Sequence, residues 1–282
     1  MTDHWPIAVS TGCCSHAELA DVLTSLVEAG AARVEVGTPP MHFDPGDGMQ
    51  PWRLAEALSR YPLGVTSMHA PFGLGFDLAS DRWEHRDAGI AAALASARTL
   101  MRHAGAILVL HPSDLPRDGA STGARLQHAL ESLLHIDRGC RELGVRTAVE
   151  TPLPHLVGGH PDELGWLLER LPPSVGMCLD TGHAHLARFI DSFLTLAGPR
   201  LAHVHIHDNH GTYDDHLIPG EGAIDWCAFV DGLRRVRYAG ALVLELSCTE
   251  PSVPYFRKAI GAAAALCHRH AAPRLPPHAA AI

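Results

Sequence analysis

Eight short apolar runs alternate with eight longer segments of helical spacing, and this alternation limits the possible folds more than any other feature. The strand-like runs are 6–10, 33–37, 64–69, 106–111, 146–150, 175–180, 201–207 and 241–246. The helix-like segments that follow them are 16–29, 52–60, 84–103, 121–143, 161–170, 186–197, 225–235 and 253–269. Nearly continuous apolar sequence is typical of parallel strands that are buried on both faces. The pattern predicts an α/β fold, a single-domain (β/α)8 TIM barrel, with a doubly wound sheet as the alternative.

The length of 282 residues suits one barrel, and no linker is long enough to separate two domains. We expect the barrel to span 1–270 and a flexible tail to span 271–282. Ser15 and Ser121 are predicted N-caps, and Gly30 and Gly144 are predicted to end helices. The longest irregular stretches, 37–51 and 208–224, both follow strands, so they should lie over the barrel mouth and serve substrate binding.

Composition narrows the functional class. The hydrophobic fraction of 46% supports a sizeable core, and the net charge of −9 disfavours a broad nucleic-acid surface. No signal-peptide pattern and no run of 18 apolar residues is present, which predicts a cytoplasmic protein without a membrane span. Assembly into a homo-oligomer remains open. The seven cysteines form no CxxC pair, so we expect reduced thiols, with the role of Cys13 and Cys14 undecided.

Histidine and carboxylate side chains recur where the apolar runs meet polar loop sequence. A single histidine at such a place is usually structural, but nine candidate ligands occur here: His69, His111, Glu150, Asp180, His183, His205, Asp214, His216 and Glu245. Because the carboxyl ends of barrel strands share one mouth, these residues should converge. Mixed nitrogen and oxygen donors suit zinc or manganese, with iron or cobalt as alternatives, better than calcium or magnesium. The sequence predicts an enzyme with one to three divalent ions.

Five further residues are candidates for substrate contact, each with a structural alternative. Glu35 ends the second strand-like run and could face the pocket; its structural alternative is an ion pair with a neighbouring arginine. His207 lies two residues after His205 and so shares its face of the strand; its alternative role is to support a metal ligand. Phe72 and Trp226 adjoin loops at the barrel mouth and could line the pocket, although core packing is the alternative for Trp226. Glu221 could either contact the substrate or hold its own loop in place. No GxGxxG or P-loop motif offers a competing chemistry.

These segments resemble the xylose isomerase-like TIM-barrel superfamily, which contains sugar isomerases, sugar epimerases and endonuclease IV. The resemblance covers roughly residues 6–265. Its most specific segments are HAPF at 69–72, VLHP at 109–112, CLDTGHAH at 178–185, HVHIHDN at 203–209, DDHLIPGEGAIDW at 214–226 and LELS at 244–247. Together they indicate the superfamily strongly and the substrate weakly.

The resemblance implies particular ligand sets. The endonuclease IV pattern corresponds here to three sets: His69, His111 and Glu150; Glu150, Asp180, His205 and Glu245; and His183, Asp214 and His216. Sugar epimerases are similar in the central set of four alone. In those enzymes the glutamates matching Glu150 and Glu245 move the proton, and the histidine matching His183 contacts sugar hydroxyls.

Two departures bear on the choice of function. HAPFGLGFD replaces the loop that follows the first histidine in endonuclease IV, and Gly211 and Thr212 lie where the epimerases carry an arginine. The leading hypothesis is a metal-dependent isomerase or epimerase of a small sugar-like or sugar-phosphate substrate, acting through an enediolate, with Glu150, Glu245 and His183 as catalytic residues. The alternative is a multinuclear hydrolase of a phosphate ester or phosphodiester, similar to endonuclease IV.

Overall fold

Eight parallel strands pair in sequence order and close into a barrel in the computed structural model, which describes residues 5–14, 16–37, 42, 44, 47–73 and 75–267. The strands are β1 (Ile7–Ser10), β2 (Arg33–Val36), β3 (Gly64–His69), β4 (Ile107–Leu110), β5 (Arg146–Glu150), β6 (Gly176–Asp180), β7 (Leu201–Ile206) and β8 (Leu242–Leu244). The last strand pairs with the first, with Ile7 opposite Leu242. The (β/α)8 prediction is confirmed, and the doubly wound alternative is wrong.

Helices form the outer layer around this barrel. They are α1 (Leu19–Ala29), α2 (Gln50–Ser59), α3 (Trp83–Leu100), α4 (Thr122–Glu142), α5 (Pro161–Arg170), α6 (Thr181–Leu186), α7 (Ile190–Ala197), α8 (Trp226–Arg235) and α9 (Val253–Leu266). Two helices, α6 and α7, replace the single helix predicted over 186–197. The first starts early because an oxygen of Asp180 accepts a hydrogen bond from the backbone N–H of His183 at 2.7 Å.

The predicted helix ends agree with the structure in part. Gly30 ends α1 with a φ of 90°, and Gly144 follows α4 with a φ of 71°, a backbone region that favours glycine. Ser121 precedes α4, but its hydroxyl donates to Asp118 instead of capping the helix. Ser15 and the predicted tail lie outside the described residues.

Side chains alternate between two environments along the strands. Leu108 and Leu110 of β4 belong to the large core shared with the helices, whereas Ile107 and Val109 belong to a small separate cluster inside the barrel. The same alternation turns several polar side chains inward: Glu35, Ser67, His203 and His205, all buried. The barrel interior is therefore partly polar below its mouth.

Barrel closure also corrects the expectation of reduced thiols. Cys14, after β1, and Cys248, after β8, form a disulfide although 234 residues separate them in sequence. Because β1 pairs with β8, the loops that follow these strands are neighbours, which sequence spacing does not reveal. The other cysteines are free: Cys13, Cys140, Cys178, Cys227 and Cys267. Within the described residues, no helix combines the length and apolar character needed to cross a membrane.

Candidate metal centre and active site

The nine predicted ligands lie at the carboxyl ends of the strands or in the segments that follow them. A cavity of about 300 Å³ opens at this end of the barrel. The ligand candidates that line it are His69, His111, Glu150, His183, Asp214, His216 and Glu245. Asp180 and His205 are fully buried beside them. The structure thus gathers residues that span nearly two hundred positions of sequence into one site.

Glu150 is the centre of this arrangement, and its side chain is only 1% exposed. Its Oε2 lies 3.0 Å from His69 Nε2 and 3.4 Å from His111 Nε2, and its Oε1 lies 3.2 Å from His205 Nδ1. Burial alone would raise the pKa of Glu150. The charges of His205 and His111 outweigh burial and hold the pKa well below its ordinary value, so the carboxylate is ionised.

Glu245 and Asp180 complete a central group with Glu150 and His205. The Oε2 atom of Glu245 lies 3.4 Å from His205 Nδ1, so two glutamates approach the same imidazole nitrogen. Both oxygens of Asp180 lie 3.0 Å from His207 Nε2, which fixes the carboxylate at the end of β6. The carboxylate of Asp180 thus contacts His207 and His183. Glu150 and Glu245 instead meet at His205.

A second group surrounds Asp214 in the loop after β7. Its Oδ2 lies 3.2 Å from His183 Nε2 and 3.0 Å from His216 Nε2. Burial lowers the pKa of these histidines, but nearby carboxylates outweigh it and raise the pKa to about 10 for His183 and about 9 for His216. His216 also has a φ of 50°, a strained conformation for a residue other than glycine, and such strain often occurs at functional sites.

Four of the histidines share one orientation. In each, Nδ1 contacts an oxygen acceptor and Nε2 is directed toward the mouth. The Nδ1 contacts are His69 with Ala70 O (2.8 Å), His111 with Asp114 Oδ1 (2.8 Å), His183 with Thr151 O (2.8 Å) and His216 with Glu245 O (2.9 Å). An acceptor behind one ring nitrogen is the usual support of a metal-binding histidine, because it leaves the other nitrogen's lone pair for the ion.

The spacing of the donors also fits a divalent ion. Donor atoms around Glu150 lie 3.0–3.4 Å apart. A tetrahedral ion with bonds of about 2.0–2.1 Å separates its ligands by about 3.3 Å. The ligand atoms of His69, His111 and Glu150 all lie within 4.8 Å of one another. The residues present therefore fit the ion that the sequence predicts.

Asp114 is a functional candidate that the sequence interpretation missed. Its Oδ1 contacts His111 Nδ1, and its Oδ2 accepts a hydrogen bond from Gly73 N–H at 2.8 Å. It lines the cavity. The available signal was a carboxylate three residues after a candidate ligand, in HPSD, the spacing at which a loop can bring a carboxylate back to a histidine.

Of the five residues expected at the substrate, only Phe72 lines the cavity. Its ring centroid lies 4.9 Å from that of His69 and 4.4 Å from that of His111. The structure does not bring the other four to the cavity. Each has another partner: Glu35 is buried in the barrel interior with His203, His207 is buried against Asp180, Trp226 donates to Asp208 in the core, and Glu221 pairs with Lys258 of α9.

Small residues after β1 and β2 also line the cavity, and of these the sequence singles out only Cys13, with its role undecided. Ser10, Gly12 and Cys13 follow or end β1, and Gly37 follows β2. A Cβ atom on Gly37 would lie 2.3 Å from the backbone nitrogen of Gly12, so only glycine fits there. This close approach leaves room for a ligand beside the metal-type residues.

Comparisons with known proteins agree with the fold. A D-tagatose 3-epimerase-like protein superposes with a TM-score of 0.79 at 21% identity, over 93% of this chain and 97% of that chain. An L-ribulose 3-epimerase has a TM-score of 0.75 at 17% identity, over 97% and 100% of the two chains. Identity this low shows the fold alone.

Sequence comparison adds a shorter match and a long one. An uncharacterised protein of Sinorhizobium fredii is 36% identical over 116 residues, which cover 39% of this chain and 36% of that protein. The match therefore spans about a third of that relative. The family described as xylose isomerase-like TIM barrel matches residues 23–266. Because this match covers most of the barrel, the chain belongs to the xylose isomerase-like TIM barrel family.

Proposed function

We propose that the protein is a divalent-metal-dependent isomerase or epimerase of a small sugar-like or sugar-phosphate substrate. One observation carries the proposal: the carboxylates of Glu150 and Glu245 approach the same nitrogen of His205, at 3.2 and 3.4 Å, beside the cavity. A two-base transfer, in which one group removes a proton from carbon and another returns one, uses two such acid–base groups at one substrate. The 3-epimerases of the same fold support this choice of reaction.

The cavity suits a small molecule better than a polymer. Its volume of about 300 Å³ lies at the lower end of the range for small-ligand sites. Its lining combines ionisable groups with the uncharged residues Gly12, Gly37 and Leu246. A compact polyhydroxylated substrate would suit this lining, with its hydroxyls on the charged residues and its carbon skeleton against the uncharged ones.

The chain's own residues divide the proton chemistry in this proposal. Glu150 is buried and held by three histidines, so it keeps one position, whereas Glu245 has 19% of its side chain exposed and faces the cavity. One glutamate removes the proton from the carbon next to the substrate carbonyl. The other returns a proton, to the opposite face of the same carbon in an epimerisation or to the neighbouring carbon in an isomerisation. His183, oriented through Thr151, binds a substrate hydroxyl. A bound zinc or manganese ion would polarise the substrate oxygens.

The test is exchange of substrate hydrogen with solvent. Purified protein reconstituted with manganese or zinc is incubated in deuterium oxide with a panel of ketohexoses, ketopentoses and their phosphates. We expect deuterium on the carbon next to the carbonyl together with formation of an epimer or isomer. Glu245→Gln is the matched variant and should abolish both signals. Unlabelled product, or no turnover across the panel, would remove the support for this reaction.

A second function, a multinuclear phosphoesterase, is favoured by the outer residues. The atoms of His69, His111 and Glu150 form one compact set, and those of His207, Asp214 and His216 form another. Clustered ions activate water and hold the leaving oxygen in such hydrolases. Elemental analysis of protein purified without chelator separates the two: one ion per chain favours the isomerase, and two or three ions with phosphodiester cleavage favour the hydrolase.

A further inference from the structure

Glu35 lies in the closed interior of the barrel, below the mouth, with no exposed surface. Its Oε2 accepts from Ser67 Oγ at 2.7 Å and lies 3.0 Å from His203 Nε2 and 3.1 Å from His205 Nε2. Its Oε1 has no hydrogen-bond partner among the described residues. All the contacts of this carboxylate therefore converge on one oxygen, which links β2, β3 and β7.

Both ring nitrogens of His205 face carboxylates, so when an ion binds one nitrogen, the hydrogen stays on the nitrogen that faces the carboxylate outside the ligand set. An ionised carboxylate can only accept, so the nitrogen that faces Glu35, Nε2, must donate. The other nitrogen, Nδ1, then faces Glu150 and Glu245 at 3.2 and 3.4 Å. This is the reverse of His69, which contacts a backbone oxygen through Nδ1. The two ring nitrogens of His205 have exchanged roles relative to those of His69, because His205 lies within β7 and its ring points into the barrel, toward β2.

We propose that Glu35 is the positioning residue of the central metal: it holds His205 as the Nε2–H tautomer and presents Nδ1 to the ion. The inference rests on the proposed function only in requiring a metal at Glu150, Asp180, His205 and Glu245. It holds for either reaction considered above. It also reassigns Glu35, which the sequence suggested for substrate contact, to support of a ligand.

The proposal explains why a carboxylate occupies this place. Burying a lone ionised carboxylate in a barrel interior is strongly unfavourable, and three donors on one oxygen only partly offset that cost. Its negative charge lies directly behind the imidazole, and a carboxylate in that position raises the basicity of the metal-binding nitrogen. Losing such a partner typically weakens metal affinity by about 10–100-fold.

The experiment measures zinc affinity and the histidine tautomer in the full chain. Zinc is titrated against a competing chelator for wild type, Glu35→Gln and Asp137→Asn. Asp137 is the matched control because it is also a buried carboxylate, but it pairs with Arg141 on α4, away from the cavity. In parallel, long-range proton–nitrogen NMR of histidine-labelled, zinc-loaded wild type identifies the protonated nitrogen of His205, assigned by its loss in His205→Gln.

We expect Glu35→Gln to lose about 10–100-fold in zinc affinity, Asp137→Asn to stay within about twofold, and His205 to carry hydrogen on Nε2. Wild-type affinity in Glu35→Gln, or hydrogen on Nδ1 of His205, would overturn the inference alone. If wild type binds neither zinc nor manganese, the inference and the proposed function fall together. Should Glu35→Gln not fold, the wild-type NMR result still decides.

Discussion

Glu150→Gln should damage the protein more than any change at the outer ligands. The substitution keeps the shape of the side chain but removes its charge from a site that is only 1% exposed. At the 3.2 Å separation of Glu150 and His205, an effective dielectric of about 20 gives a charge interaction of roughly 5 kcal/mol. Removing one partner of a buried pair typically costs about 3–5 kcal/mol. We expect a loss of that size in the unfolding free energy of metal-free protein at pH 7.

The loss should depend on pH with a definite sign. The folded-state pKa of Glu150 is depressed, so its stabilising effect is present above the unfolded pKa of about 4.3 and disappears as pH falls through the folded value. The difference between wild type and Glu150→Gln should therefore shrink in acid. Urea unfolding of metal-free protein from pH 8 down to well below pH 4 measures it, and zinc affinity and turnover are followed at neutral pH.

Glu245→Gln is the matched control, since its carboxylate is partly exposed and water replaces lost contacts. It should lose turnover by about 10²–10⁴-fold, as expected for a missing acid–base group, with a smaller change in stability. If Glu150→Gln keeps wild-type stability, zinc affinity and turnover, the arrangement around Glu150 does not have the role argued for it.

Three other outcomes follow from the geometry. Asp214→Asn should raise KM modestly and leave the central ion bound if the protein is an isomerase, whereas loss of one ion per chain by elemental analysis would indicate the hydrolase. His183 and His216, with pKa values raised to about 10 and about 9, are protonated at pH 7 in metal-free protein, so ligation there, which the hydrolase alternative requires, would release protons. Zinc affinity should then rise with pH toward 9, and calorimetry in buffers of different ionisation enthalpy should detect the released protons; no buffer dependence would exclude ligation by these histidines. Gly37→Ala should lower both thermal stability and substrate affinity, because its Cβ would lie 2.3 Å from the Gly12 nitrogen. A variant with wild-type melting temperature and KM would contradict the close packing of Gly37 against Gly12.

The strand order and the location of the candidate ligands could be predicted from sequence for a simple physical reason. A strand buried on both faces must be apolar along its length, so a histidine or carboxylate at its end marks the point where the strand reaches the barrel mouth. His69, Glu150 and Asp180 are the last residues of their strands in the structure. His111 and Glu245 come directly after theirs.

Other features depend on neighbours that are distant in sequence. The disulfide between Cys14 and Cys248 exists because β1 pairs with β8, and no local spacing encodes that pairing. Trp226 adjoins a mouth loop in sequence, yet its ring nitrogen donates to Asp208 within the core. A periodic pattern gives a residue's place along a strand or helix but not the partner that its side chain meets.

The contact between Glu35 and His205 separates what the sequence predicts from what only the tertiary structure shows. The sequence by itself determined that both lie on strands and that alternate residues share a face, because the side-chain period of a strand is two. Only the closed barrel decided that Glu35 of β2 reaches across to His205 of β7, 170 positions away, and thereby which ring nitrogen meets the mouth. That contact depends on the curvature and closure of the whole sheet, which arise from packing among all eight strands and not from any local segment.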